Sequence, residues 1–196
     1  MPSLAQRSGR IEVIRGCMFS GKTERLIARL RAAGRDGRRV AAFKHVIDDR
    51  YDATHLITHT QDRYPAQRAA EAAAVARLAG GADVLGIDEG HFFGMDLVEV
   101  VQRLAGSGRR VIVVGIDFDV WGRPFAPMPE LSDIADEVLY FHAACRVCGG
   151  QARYSQRMTP IANGGMVGGA EAYEPRCQKC FVALPPETAA LAASAG

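Results

Sequence analysis

The sequence predicts an α/β fold in which a parallel sheet is flanked by helices, with a small cysteine-bearing module toward the C-terminal end. Three observations carry this expectation. Strand-like apolar runs alternate with helix-like segments up to about residue 142. A glycine-rich loop, GCMFSGKT, stands between the first strand-like run and the first helix. Two C-x-x-C pairs, Cys145/Cys148 and Cys177/Cys180, follow the last strand-like run.

Each element has its own reason. Residues 1–10 lack an apolar stretch and read as a loose tail, with no export signal. Ile11 to Arg15 is an apolar run ending at Gly16, as a short strand would be. From Lys22 onward, Leu26, Ile27, Leu30 and Ala33 recur at helical spacing, and Gly34 is the expected stop. Val40 to Phe43 reads as a second strand, and the alanine-rich residues 69–79 as a helix with a weak apolar face. After Gly80-Gly81, ADVLGIDE reads as a buried strand. Leu97, Val98, Val101 and Leu104 mark another helix, closed by Gly106 and Gly108, and RRVIVVGID is the clearest strand. Tyr140 and Phe141 are expected at the junction between sheet and cysteine module. The resulting division is 11–142 for the α/β domain, 143–182 for the cysteine module, and 183–196 for a low-complexity tail read as mobile.

Composition narrows the function classes. With 48% hydrophobic and 23% charged residues, the 196-residue chain can bury a real core. A formal charge of +2 and the lack of a Lys/Arg block argue against a stable nucleic-acid partner or an anionic membrane surface. No apolar run reaches membrane-spanning length. The expected compartment is the cytoplasm, where thiols stay reduced. His45, His55 and His142 read as surface or packing residues.

Gly16, Gly21, Lys22 and Thr23 satisfy G-x-x-x-x-G-K-[ST], a loop that binds phosphate. Its backbone N–H groups can converge on phosphate oxygens, and the helix that follows adds its positive end. Lys22 supplies a compact charge, and Thr23 a hydroxyl for Mg²⁺. Ligands of such sheets sit at the carboxyl ends of the strands, where DEGHFF also falls. Asp88 is therefore the candidate Mg²⁺-organising carboxylate, and Glu89 the candidate acceptor of a proton from an attacking hydroxyl. The alternative is that both carboxylates cap the next helix. The fold expectation sharpens to a P-loop NTPase-like sheet.

The two C-x-x-C pairs, 28 residues apart, read as a structural four-thiolate zinc site of Cys145, Cys148, Cys177 and Cys180. A closed site of this kind has no open position for catalysis. The segment between the pairs carries the Gly164-Gly165 and Gly168-Gly169 doublets and few acidic groups. Tied off by metal, such a loop can offer backbone donors and acceptors to a nucleobase edge, or can simply stabilise the module.

GCMFSGKT, FKHVIDDRY, THT, DEGHFF, GIDFDVWGRPF, the two C-x-x-C pairs and MVGGAEAY occur in this order from about residue 11 to residue 180. Together they resemble the thymidine kinases of the type shared by bacteria and animal cytosol, the type II thymidine kinase family. The resemblance implies transfer of the γ-phosphate of ATP to the 5′-hydroxyl of thymidine with Mg²⁺, a salvage reaction. It also implies a structural Zn²⁺, a zinc-bound lasso loop and a homotetramer. By motif it places the donor phosphates on Gly16, Cys17, Met18, Phe19, Ser20, Gly21, Lys22 and Thr23. Asp48, Asp49, Arg50, Asp88, Glu89, Gly90 and His91 are placed near them. It sets Thr23 and Asp88 on Mg²⁺ and makes Glu89 the base, and His59 matches a family histidine. The nucleoside would lie among Met18, Phe92, Val120, Ser155, Tyr173 and the lasso backbone of Met166, Val167, Gly168 and Gly169.

Four positions depart from the family pattern. Cys17 stands where the family usually has Pro, and is read as packing rather than chemistry. His91 replaces Gln. Val120 replaces a Phe that stacks on substrate, so nucleoside binding weakens unless Trp121 takes over that wall. Arg123 replaces an acidic residue. Two other readings stay open: an ATPase whose zinc ribbon binds nucleic acid, and a nucleotide-binding regulator without turnover.

Overall fold

The structure is a computed structural model that describes residues 9–48, 54–58, 60–160, 168–186 and 188. Along the chain run β1 (Arg10–Gly16), α1 (Lys22–Arg35), β2 (Val40–His45), β3 (His55–Ile57), β4 (Arg63–Pro65), β5 (Gln67–Ala69) and α2 (Ala72–Leu78). Then come β6 (Val84–Ile87), a 3₁₀ turn (Gly90–Phe93), α3 (Asp96–Gly106), β7 (Arg110–Gly115), α4 (Met128–Asp133) and β8 (Glu137–Phe141). The cysteine module holds β9 (Ala143–Ala144), β10 (Gln151–Ala152), β11 (Tyr154–Arg157) and β12 (Tyr173–Arg176).

The central sheet has six strands in the order β5-β2-β6-β7-β1-β8, and every pairing in it is parallel. Strand residues alternate between two cores, as the period of two requires. Val13, Leu85, Val111 and Val113 face α2, α3 and α4, where they meet Val75, Leu97, Val101 and Leu131. Ile14, Val84, Ile112 and Val114 face α1 and pack on Leu26, Ile27 and Leu30. Burial on both faces explains why β6 and β7 read as unbroken apolar runs. Among the buried charges of the sheet, Glu12 lies within β1. It accepts from Arg110 at 2.7 and 2.9 Å and also pairs with Arg29 and Arg10, so an α1 arginine and two strand arginines compensate the buried charge.

Several elements differ from expectation. The helix from Lys22 runs through Gly34 to Arg35, and the chain turns at Gly37 instead. The segment 69–79 is helical only from Ala72; Gln67–Ala69 is a strand paired with β2. Arg10 belongs to β1 rather than to a tail. Tyr140 and Phe141 are the end of the edge strand β8: Phe141 packs against the α1-side core, and Tyr140 is exposed beneath the Arg15 guanidinium. The tail read as mobile from 183 is tied down at its start, since the Leu184 N–H donates to the Val120 carbonyl and the Trp121 indole N–H to the Thr188 hydroxyl, each at 3.0 Å.

An aromatic stack ties the module to the sheet. The Tyr154 ring lies between Phe118 (4.7 Å) and Phe181 (4.5 Å), nearly parallel to both. This seam sets the module beside the carboxyl ends of β1 and β7.

Candidate active site

The strand ends dictate the site. β1 stops at Gly16, which adopts φ 154° and whose Cβ, if present, would lie 2.0 Å from the Phe141 carbonyl oxygen. Only glycine lets the loop leave the sheet there. The loop returns through Gly21, in the left-handed region at φ 83°, and α1 starts at Lys22 with no side-chain cap on its first N–H groups. Those donors face a cleft of about 670 Å³ lined by Met18 through Thr23, with Lys44, Asp48, Asp88 and Glu89 opposite.

The cleft balances charge tightly. Lys22 is buried and donates to the Cys17 carbonyl at 2.6 Å. Burial lowers its pKa, with Glu89 the strongest of the groups opposing that fall. The Thr23 hydroxyl donates to Asp88 Oδ2 at 3.0 Å. Burial, then the charges of Glu89 and Asp48, push Asp88 up to about 7, against its bonds from the Glu89 N–H and Thr23. A hydroxyl and a buried, crowded carboxylate of this kind suit a hard divalent cation, which would stabilise the ionised form. Lys44, buried at the end of β2, lies 3.3 Å from Asp48 and lines the same cleft. Two of the chain's three lysines, Lys22 and Lys44, thus meet at this cleft.

A second pocket of about 460 Å³ adjoins the first. Met18, Glu89 and Ile116 line both. The remaining wall is largely apolar: Phe92, Phe118, Val120, Phe125 and Tyr173, with Ser155, Asp119 and Gly168 as polar or backbone points. Expected residues Phe92, Val120, Ser155, Gly168 and Tyr173 thus converge with Met18. Val120 is a wall residue, but Trp121 is not its replacement: that ring lies under the Arg123 guanidinium at 5.1 Å. Arg123 itself pairs with Asp119 at 3.8 Å. Phe118 and Phe125, which flank the substituted position, add to the aromatic walls of Phe92 and Tyr173.

The remaining motif residues lie elsewhere. Cys17 is buried away from the phosphate cleft, with its Sγ 3.4 Å from the Ala152 carbonyl and in one apolar cluster with Cys145. Burial pushes its thiol up, so it stays neutral. Gly90 and His91 lie outside the phosphate cleft; Gly90 sits against β7 and His91 lines the second pocket. The Gly169 N–H is used by Glu171 at 2.6 Å, and its carbonyl by Ala172 and Tyr173, so it serves a local turn rather than the pocket. Asp49, Arg50, His59, Met166 and Val167 lie outside the described residues.

The cysteine module is the remaining centre. The four Sγ atoms of Cys145, Cys148, Cys177 and Cys180 lie within 4.8 Å of one another, with Cys148 and Cys177 3.6 Å apart. Tetrahedral thiolates on zinc at ~2.3 Å stand about 3.8 Å apart, so the set fits a metal ion. Burial pushes the Cys145 thiol up, but backbone N–H groups of Cys177, Cys148 and Val147 together outweigh it and hold the group down at about 6. Cys180 is pushed up to about 12, first by its hydrogen bond with Cys177 and then by burial. A bound cation relieves that crowding.

The thymidine kinase family model matches residues 9–181, which takes in both pockets and all four cysteines. The chain belongs to the thymidine kinase family. A thymidine kinase of Rhodothermus sp. (strain ITI 518) is 46% identical over 188 residues, spanning 95% of this chain and 88% of its own. A thymidine kinase of Porphyromonas gingivalis (strain ATCC 33277) is 44% identical over 184 residues, or 93% and 90% of the two chains. One from Coprothermobacter proteolyticus is 42% identical over 180 residues, or 87% and 89%. Among the described residues no helix is long and apolar enough to cross a membrane.

Proposed function

We propose that the protein transfers the γ-phosphoryl group of ATP to the 5′-hydroxyl of thymidine, giving the 5′-monophosphate for nucleotide salvage. The single observation that carries this reading is that Glu89 lines both pockets, with Met18 and Ile116. A group at that boundary can reach a hydroxyl in one pocket and a phosphate in the other.

On this reading the P-loop N–H groups, the α1 N-terminus and Lys22 hold the triphosphate. Thr23 and Asp88 would hold Mg²⁺, which would offset charge on the phosphate oxygens. The apolar pocket grips the base and sugar and keeps water from the phosphorus. Its position fixes the 5′-oxygen in line with the γ-phosphorus, where most of the rate advantage arises. Glu89 accepts the hydroxyl proton on its carboxylate as the new P–O bond forms. Residues 11–142 hold the phosphates and form most of the nucleoside pocket, while Ser155, Gly168 and Tyr173 of residues 143–182 add one wall, and Zn²⁺ on the four cysteines would brace that module. A homotetramer in the cytoplasm is expected from the motif resemblance alone.

The test is direct. The protein is incubated with Mg-ATP and thymidine, deoxyuridine or deoxycytidine, and the 5′-monophosphates are measured. Thymidine is expected to be the best substrate. DNA-stimulated ATP hydrolysis without nucleoside product would instead favour the nucleic-acid-binding ATPase. Nucleotide binding without any turnover would favour the regulator.

A further inference from the structure

The residue after the Glu89-Gly90 step has an unassigned task. Glu89 adopts φ 52° and ψ 41°, a left-handed conformation that few residues with side chains take up. Gly90 follows with no room for a side chain: a Cβ there would lie 2.5 Å from Val113 Cγ1. The chain is thus pressed against β7 immediately after Glu89, and the backbone turn is tight. A backbone turn alone does not set side-chain torsions.

His91 supplies a constraint. It is only 4% exposed, and its ring is held between Phe92 at 4.2 Å and Phe125 at 4.7 Å. Nδ1 faces the Ile116 N–H at 3.4 Å and so acts as the acceptor. In a neutral imidazole the proton then resides on Nε2. Nε2 lies 3.5 Å from Glu89 Oε2. One imidazole therefore links the end of β7 to the carboxylate that borders both pockets.

Resting on the reading of Glu89 as proton acceptor, we propose that His91 is a positioning residue for the transfer step. It acts as an Nε2–H donor, anchored through Nδ1 to the Ile116 N–H, and aims the Glu89 carboxylate at the boundary of the two pockets. It touches no phosphate. A glutamine side chain can make both contacts, its amide N–H₂ to Glu89 and its oxygen to Ile116, whereas an apolar side chain can make neither.

A double-mutant cycle tests this on the full-length protein. Glu89→Gln alone is expected to lower kcat about 100-fold, the usual scale for a lost general base. His91→Leu alone is expected to lower kcat about tenfold or more, with the KM values for ATP and thymidine within about threefold of wild type. His91→Gln is expected to restore most of the loss. In the Glu89→Gln background, His91→Leu is expected to cost less than about twofold further, because its effect runs through a carboxylate already gone. Independent, multiplying effects would overturn the proposal, as would a failure of His91→Gln to rescue. A large rise in thymidine KM with kcat intact would also overturn it, making His91 only a pocket wall. Near-wild-type turnover by Glu89→Gln would instead sink the base assignment itself, a separate outcome. Should the Leu variant not fold, His91→Asn, whose amide is too short to span both contacts, completes the same cycle.

Discussion

Ser155 offers a quantitative handle on how the cysteine module meets the P-loop. Its hydroxyl accepts the Met18 N–H at 2.9 Å, and the residue is 3% exposed. Ser155→Ala removes the acceptor and leaves a backbone donor without its partner. An unsatisfied buried group costs about 1–3 kcal/mol, and Met18 is only part-buried, so the lower half applies, about 1–2 kcal/mol. For a chain of this length, 1 kcal/mol lowers Tm by about 2–4 °C, which sets the expected fall at about 2–8 °C. Met18 lines both pockets, so KM should rise for both substrates while kcat changes less. Ser155→Thr keeps the oxygen and should keep Tm. Thermal denaturation with steady-state kinetics checks all three. An Ala variant with wild-type Tm and both KM values unchanged would refute the coupling. A rise in thymidine KM alone would reduce Ser155 to a pocket wall.

Removal of metal by a thiol-competing chelator should raise thymidine KM more than ATP KM, since the module forms one wall of the second pocket; unchanged thymidine KM in metal-free protein would count against a structural metal. Gly16→Ala should abolish stable nucleotide binding, because its methyl has no space beside the Phe141 carbonyl; calorimetric titration with ATP reads this out. Acid stability should depend on Asp83. Its hydrogen bond from the Arg39 side chain, first, holds its carboxyl at about 2. A depressed acid contributes stability above its unfolded value near pH 4 and loses it as pH falls toward 2. Asp83→Asn should therefore flatten the stability profile between those values, by a small amount because the pair is exposed. A profile unchanged by the substitution would show that the pair carries no linkage.

The parts legible in the sequence were those with strong local signatures. β6 and β7 are apolar throughout because both faces are buried, and the P-loop is marked by two glycines with separate steric tasks. The four cysteines are marked by spacing alone. β5 was not legible: Gln-Arg-Ala has no strand preference, and only pairing with β2 makes it extended. α4 is six residues long, with a Pro at its second position, too short for a periodic signal. In the site, Phe118 and Phe125 carry no signature of their own, since a lone phenylalanine in a loop reads equally as packing. Lys44 carried a signal that went unread, a rare lysine at the carboxyl end of a strand. The separation of His91 from the phosphates depends on the turn at Glu89, whose left-handed backbone no residue type there announces.

The contact of Cys17 with the cysteine module bears on engineering and descent. A side chain inside the phosphate loop shares a wall with Cys145, one of the four clustered cysteines, and a strand carbonyl, Ala152. The module is therefore not an interchangeable cassette. Transplanting residues 143–182 from a relative with Pro at the equivalent of position 17 would set a differently shaped loop against this wall. A chimera should recover activity only when position 17 travels with the graft. Substitutions at the two places are expected to have been accepted in step over the history of the chain.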